Sequence, residues 1–325
     1  MSDLLRLLIG LCLGLACTPA FAASFDCGQA KTAVERAVCA DSELSALDED
    51  LARVWGAALK RQSDDEAIEA LRAEQRNWLK NRRVGDLKWA YEYRIQRLGE
   101  LPEFPAWNAP GVEPGYRLSD ISRQYDFILR LVDVRKATDW SLEGSGQVFV
   151  FKKGDAAPMQ QIIMGNIYVS LESNKPLVNA ARRYDAQGAI NVGDFNFDGH
   201  DDFGIQNGNF GGYGAPTYDI FLFNPKLGRF EYNAPMSDLI AETQGFFEVD
   251  AKRKRLHTMS KGGCCYHVWS TWAVVNNTPE EVASQTEEAV FDPDGNAPPR
   301  LKITDRRLVK GKWRERTHYE KVKDE

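Results

Sequence analysis

From Thr32 to Leu98 apolar residues recur at helical spacing. Leu44, Leu47, Leu51, Trp55 and Leu59 step by three and four and draw one stripe along a helix. Asp41 and Ser42 precede that run as N-cap candidates. Ile68, Leu71, Gln75, Trp78 and Leu79 form a second face, and Trp89, Tyr93 and Leu98 a third, with charges such as Arg72, Glu74 and Arg76 opposite. The pattern predicts a bundle of three or four helices. Pro102, Pro105, Pro110 and Pro114 then crowd the stretch before Gly115, which no helix can cross, and Trp107 among them is expected to pack on a neighbouring domain.

Beyond Tyr116 the period changes to short alternating or apolar runs. Phe127–Val134, Gln147–Phe151, Gln161–Val169, Tyr218–Phe223 and His267–Val275 read as strands, separated by Gly, Asn, Asp and Pro. Leu301–Val309 and Trp313–Val322 flank Lys310-Gly311-Lys312 and read as a hairpin. The expected fold is α+β and multidomain, with a small N-terminal helical bundle followed by an all-β antiparallel domain, propeller-like or a sandwich. No fixed-period repeat supports a regular propeller. The expected boundaries are a leader over 1–22, a helical domain over 23–99, a proline-rich linker over 100–117 and a β domain over 118–325.

Composition adds bounds. The 325 residues are 43% hydrophobic and 27% charged, which is globular, and the length suits about two domains. Net charge is −6. That balance offers no basic stripe for a nucleic acid backbone, so no nucleic acid partner is expected.

Leu4–Ala16 is an apolar run of 13 residues with Arg6 at its start, too short to span a bilayer. Ala20-Phe21-Ala22 follows as an A-x-A cleavage site, so the mature chain is expected to start at Ala23, without a transmembrane helix, in the periplasm. A lipoprotein acylated at Cys17 is the alternative, and both readings export the chain. Cys27, Cys39, Cys264 and Cys265 then remain, an even number that favours disulfides in an oxidising compartment. Cys27 with Cys39 closes a short loop. The adjacent Cys264 and Cys265 are open to a vicinal ring, to other pairings or to a buried dithiol.

The sharpest local signal is Asp194-Phe195-Asn196-Phe197-Asp198-Gly199-His200-Asp201-Asp202. Oxygens of Asp194, Asn196, Asp198 and Asp202 fall at positions 1, 3, 5 and 9, Gly199 turns the chain at position 6, and the His200 carbonyl adds a ligand at position 7. A hard cation of calcium's size needs such a shell of oxygens. Ile205 stands where an EF-hand has its bidentate Glu, and the flanks read as strands, so a strand-flanked structural Ca2+ loop is expected. Three carboxylates imply an affinity on the order of 10⁻⁴–10⁻⁵ M. Asp201 points away in this register and is expected to be solvated. A polar turn with Asn and Asp chosen for local hydrogen bonds is the plainer reading.

Gly208-Asn209-Phe210-Gly211-Gly212-Tyr213-Gly214-Ala215-Pro216 follows at once. The glycines permit positive φ, so Tyr213 is expected at the tip as a rigid amphipathic anchor; the alternative folds it back onto the core. No helix follows to make this a phosphate loop. Gly262-Gly263-Cys264-Cys265-Tyr266-His267 lacks the further groups that a thiol hydrolase or zinc site needs, so a structural disulfide is preferred. With no G-x-S-x-G, H-E-x-x-H or Walker-type segment, an enzyme is not indicated.

Two resemblances rest on these residues. Residues 25–98 resemble the LprI-like lysozyme inhibitor domain of exported bacterial proteins, through Phe25-Asp26-Cys27, Val38-Cys39, Leu44-Ser45-Ala46-Leu47-Asp48, Gln75-Arg76-Asn77-Trp78-Leu79 and Tyr93-Arg94-Ile95. The chain departs from that pattern at Arg83–Gly85, where Val84 stands in place of a further cysteine. Residues from about 120 resemble calcium-binding immunity proteins that neutralise lysozyme-like effectors of bacterial-killing type IV secretion systems, through Gly193–Asp202, the Gly/Tyr loop before Tyr218-Asp219, and Gly263–His267. The second resemblance implies a propeller-like fold and a loop beside the ion that enters the lysozyme cleft. On this chain that loop carries Gly211, Gly212, Tyr213 and Gly214, with Tyr218 as the competing tyrosine. The function implied is an exported inhibitor whose partner is a lysozyme-like peptidoglycan hydrolase. The alternative is a non-enzymatic, calcium-stabilised module binding glycan or the cell envelope.

Overall fold

The computed structural model describes residues 23–181, 185–263, 265–291 and 298–321. The leader and its cleavage site, Cys17 and Cys264 lie outside the described residues. By contacts the chain parts into two units: residues up to Ala57 with Arg82–Gly99, and Ala58–Asn81 with Glu100 onward.

The helices are α1 (Ala33–Ala40), α2 (Ser42–Lys60), α3 (Asp65–Asn81), α4 (Leu87–Glu100) and α5 (Ala234–Ala241). Thr32 and Glu35 close a capping box on α1. Asp41 Oδ1 accepts from the amides of Glu43 (2.8 Å) and Leu44 (3.1 Å) and so caps α2, as its position suggested. In the first unit Cys27 and Cys39 form a disulfide. Its polar centre is the buried Asp48, which accepts from the Ser24 amide and hydroxyl and from the Tyr91 hydroxyl at 2.7 Å. Burial and that bond push the Tyr91 phenol well above its ordinary range. The periodicity misplaces the α4 face. The helix buries Leu87, Tyr91, Arg94 and Leu98, while Trp89 and Tyr93 are exposed and stack on each other at 5.2 Å.

In the second unit three antiparallel meanders follow in chain order. The first sheet holds β1 (Tyr116–Leu118), β2 (Tyr125–Ala137), β3 (Ser141–Lys152), β4 (Gln160–Glu172) and β5 (Lys175–Pro176). The second holds β6 (Ile190–Gly193), β7 (Asp202–Gly208), β8 (Thr217–Asn224) and β9 (Arg229–Tyr232). The third holds β10 (Glu248–Asp250), β11 (Arg255–Lys261), β12 (Tyr266–Val275), β13 (Thr278–Val290), β14 (Arg300–Val309) and β15 (Lys312–Lys321). The expected helical N-terminal region followed by antiparallel β structure is what the chain forms, with α3 in the second unit beside β4. The Lys310-Gly311 turn has φ of 50° and 73°, and it pairs Val309 with Lys312.

The second sheet is buried on both faces. Phe203, Ile205 and Phe221 join Phe127, Val148 and Ile162 of the first sheet in one core. On the other face Tyr218, Ile220 and Leu222 pack with Met236 and Ile240 of α5 and Leu256 of β11. Alternate residues of β8 thus enter different cores, as the two-residue repeat of a strand requires. The outer face of the first sheet is covered by the proline-rich stretch and α3. Trp107 meets Phe151 edge-on at 5.8 Å, Arg130 donates to the carbonyls of Ala106 (3.1 Å) and Trp107 (2.7 Å), and α3 packs on β4. Gln62 holds the same stretch through the Pro102 carbonyl and the Phe104 amide.

Candidate functional site

Strand β7 carries a loop at each end. Residues 194–201 enter it and residues 209–216 leave it, so the doubly buried second sheet positions both.

The entering loop turns its oxygens inward. Asp194 accepts from the amides of Asp198 and Gly199, both at 2.9 Å. Asn196 Oδ1 accepts from Asp198 at 3.2 Å, and Asp198 Oδ1 from His200 at 2.9 Å. Gly199 has a φ of 92°, the left-handed turn its position called for. Asp202 is fully buried, its two oxygens accepting from the amides of Phe195 and Phe223, each at 2.9 Å. Burial first, and then the neighbouring Asp198 and Asp194, push its carboxyl up to about 8 against the pull of those two amides. The charges acting on Asp202 are both negative, and the donor set of carboxylates and amide is all hard oxygen. That chemistry fits a cation of calcium's class. Among the described residues no three His, Cys, Asp or Glu side chains converge as a metal site in this conformation. Asp201 is more than a solvated residue: it accepts from the Ser122 hydroxyl at 2.6 Å, and its amide donates to Gln124, so the loop is tied to the β1–β2 connection. The His200 ring lies 5.0 Å from Phe223.

The leaving loop is open. Tyr213 is 65% exposed, with φ 58° and ψ 27°, inside a single turn over Gly212–Gly214. A left-handed tyrosine costs about 1–2 kcal/mol. Its hydroxyl accepts from the Gly263 amide, and the Lys261 ammonium sits 4.6 Å from the ring centre. Gln244 donates to the Gly212 carbonyl at 3.1 Å. Gly211 is half-buried and Gly212 and Gly214 are exposed. Tyr218 is a core residue here, 1% exposed and donating to the Gly188 carbonyl at 2.7 Å, its phenol pushed far up by burial.

Three segments singled out separately in the sequence therefore gather in one unit. The Gly/Tyr loop and the Gly262–His267 segment meet through Tyr213 and Gly263, and Cys265 beside that contact is disulfide-bonded. A cavity of about 270 Å³ in the same unit is lined by Phe195 of the acidic loop and by Gln244, together with Phe246, His257 and Met259. Gln244 and Lys261 escape sequence reasoning, because one polar residue after a short helix and one strand-end lysine carry no local signature.

The family model described as Lysozyme inhibitor LprI matches residues 26–85. A solved structure described as that of a Xanthomonas type IV secretion system related protein is similar at 25% identity and a TM-score of 0.49, over 62% of this chain and 93% of that one. Curated proteins gave no match.

Proposed function

We propose that this chain is an exported, immunity-type inhibitor of lysozyme-like peptidoglycan hydrolases that blocks the active cleft with Tyr213. The observation that carries the reading is Tyr213 itself. A tyrosine in a left-handed conformation, two-thirds exposed, is held from behind by Gly263 and Lys261 rather than folded into the core. Backbone outliers persist where surrounding structure holds them, and they cluster at functional sites. The LprI match over residues 26–85 supports a lysozyme-like protein partner, and the Cys27–Cys39 disulfide supports export.

Lysozyme clefts are deep, sugar-shaped and lined by carboxylates. A phenol on a narrow glycine turn fills such a cleft and donates to a carboxylate. The loop's fixed root limits the ordering entropy lost on docking. Asp194, Asn196, Asp198, the His200 carbonyl and Asp202 would hold a calcium ion at the other end of β7. Bound there, such an ion would supply a positive charge that offsets the crowded carboxylates.

The test is hydrolysis of peptidoglycan by a panel of lysozyme-type enzymes, with and without this protein, in calcium and in EDTA. Stoichiometric, calcium-dependent inhibition of one enzyme is the expected result. Inhibition of none, with direct binding of muropeptides by the protein, would move the reading to a glycan-binding module.

A further inference from the structure

The last hairpin has a charge opposite to the rest of the molecule. Residues 300–321 hold nine Lys and Arg against three Asp and Glu, a local +6 in a chain of −6. Little of this segment is buried: Ile303 is the buried residue of β14, and β15 is exposed apart from His318, which is half-buried. Net acidity therefore conceals a basic element, which the chain-wide balance could not show.

The registry sorts its side chains. On one face Leu308 is paired with Trp313 beside the turn, while Val309, paired with Lys312 and also exposed, points to the opposite face. The Arg306 guanidinium covers the Trp313 ring at 4.7 Å, and Arg300 covers Tyr319 at 5.0 Å. On the other face Arg307 stands directly opposite Arg314, with Lys312 and Arg316 as neighbours. Like charges directly opposite each other destabilise a sheet. Salt bridges in the hairpin engage Lys302, Arg306 and His318, and none engages Arg307, Arg314 or Arg316 among the described residues.

We infer that this hairpin docks the protein on an anionic lipid bilayer. The arginines and lysines meet the headgroup phosphates, and Leu308, Val309 and Trp313 seat at the headgroup level. Charge complementarity selects the partner, and the apolar tip selects its form. Protection of an edge strand explains charges along β15 but not exposed Leu, Val and Trp at the end of the ribbon. Amphipathic aromatics ringed by cations suit the membrane interface, where each Lys or Arg contributes about 1 kcal/mol. The remaining surface, net acidic, is repelled by the same headgroups and leaves the hairpin as the approach.

The test is sedimentation of the full chain with sucrose-loaded phosphatidylcholine vesicles, with and without one quarter phosphatidylglycerol, at 50 mM and 500 mM NaCl. Binding is expected only to the anionic vesicles at low salt, at least tenfold above the neutral ones. Arg307→Ala with Arg314→Ala should weaken it about 25-fold, near fivefold per charge. Trp313→Ala should weaken it without changing its salt dependence. All variants should keep the parent melting temperature, because Arg307, Trp313 and Arg314 are exposed. Wild-type binding by the double-arginine variant, equal binding to neutral vesicles, or capture of heparin with no vesicle binding at 50 mM salt would overturn the inference.

Discussion

The two loops of β7 are built on opposite rules. The entering loop folds inward: its carboxylates take its own amides, and Asp202 is buried beneath it with two backbone partners. The leaving loop folds outward, and its one large polar tip residue is exposed with a strained backbone. On the proposed reading the first arrangement serves stability and the second recognition. Damage to the entering loop should therefore appear in unfolding, and damage to the leaving loop in binding.

Asp202→Ala should show the largest effect. It strands two buried amides, each costing about 1–3 kcal/mol, and urea unfolding should lose that much while a folded remnant still displays Tyr213. A loss below about 0.5 kcal/mol would place Asp202 outside the core of the loop.

The pH dependence sharpens the same point. In EDTA the Asp202 carboxyl titrates at about 8 in the folded chain against an ordinary 3.8. Between those values the folded state binds more protons than the unfolded one, so stability falls as pH rises through that window. Urea midpoints in EDTA should be higher at pH 5 than at pH 8.5, to the extent that this group dominates. On the proposed reading calcium should narrow that difference, because an ion held there would favour the deprotonated carboxylate. An unchanged difference on adding calcium would separate Asp202 from the ion.

Gly199→Ala follows, at about 1–2 kcal/mol, because it forces a Cβ into the left-handed turn. The expected loss is in unfolding, in ion-free buffer as well as in calcium. The smallest effect belongs to Gln244→Ala, which removes one bond to the Gly212 carbonyl. That change should weaken inhibition by less than about tenfold, near the worth of one hydrogen bond, and leave the melting temperature in place.

The entering loop was legible because its Asp and Asn side chains bond amides only a few residues away and Gly199 turns the chain, so it is readable one residue at a time. The leaving loop was readable only in composition. Its glycines announce a turn, but the supports of Tyr213 come from Gly263, Lys261 and Gln244, brought near by strand pairing far along the chain. Tertiary pairing also explains α4. Tyr91 and Arg94 are polar enough to read as surface, yet Tyr91 is buried because Asp48 of α2 accepts its hydroxyl proton. Strand β13 went unread for the reverse reason: Thr278–Val290 pairs on both edges, and only Ser284 within it is buried, so no apolar alternation marks it. Strong patterns belonged to strands inside a core, such as Phe127 and Val148, whose packing against the second sheet dictates them.

The most direct test of the inhibitor reading compares wild type and Tyr213→Gly against the lysozyme that the panel identifies, in calcium. Glycine relieves the left-handed strain, so unfolding should show a change under about 1 kcal/mol or a slight gain, while the inhibition constant rises at least 30-fold, the mark of a hot-spot anchor. Inhibition by Tyr213→Gly at wild-type strength would contradict the account and move recognition away from this loop.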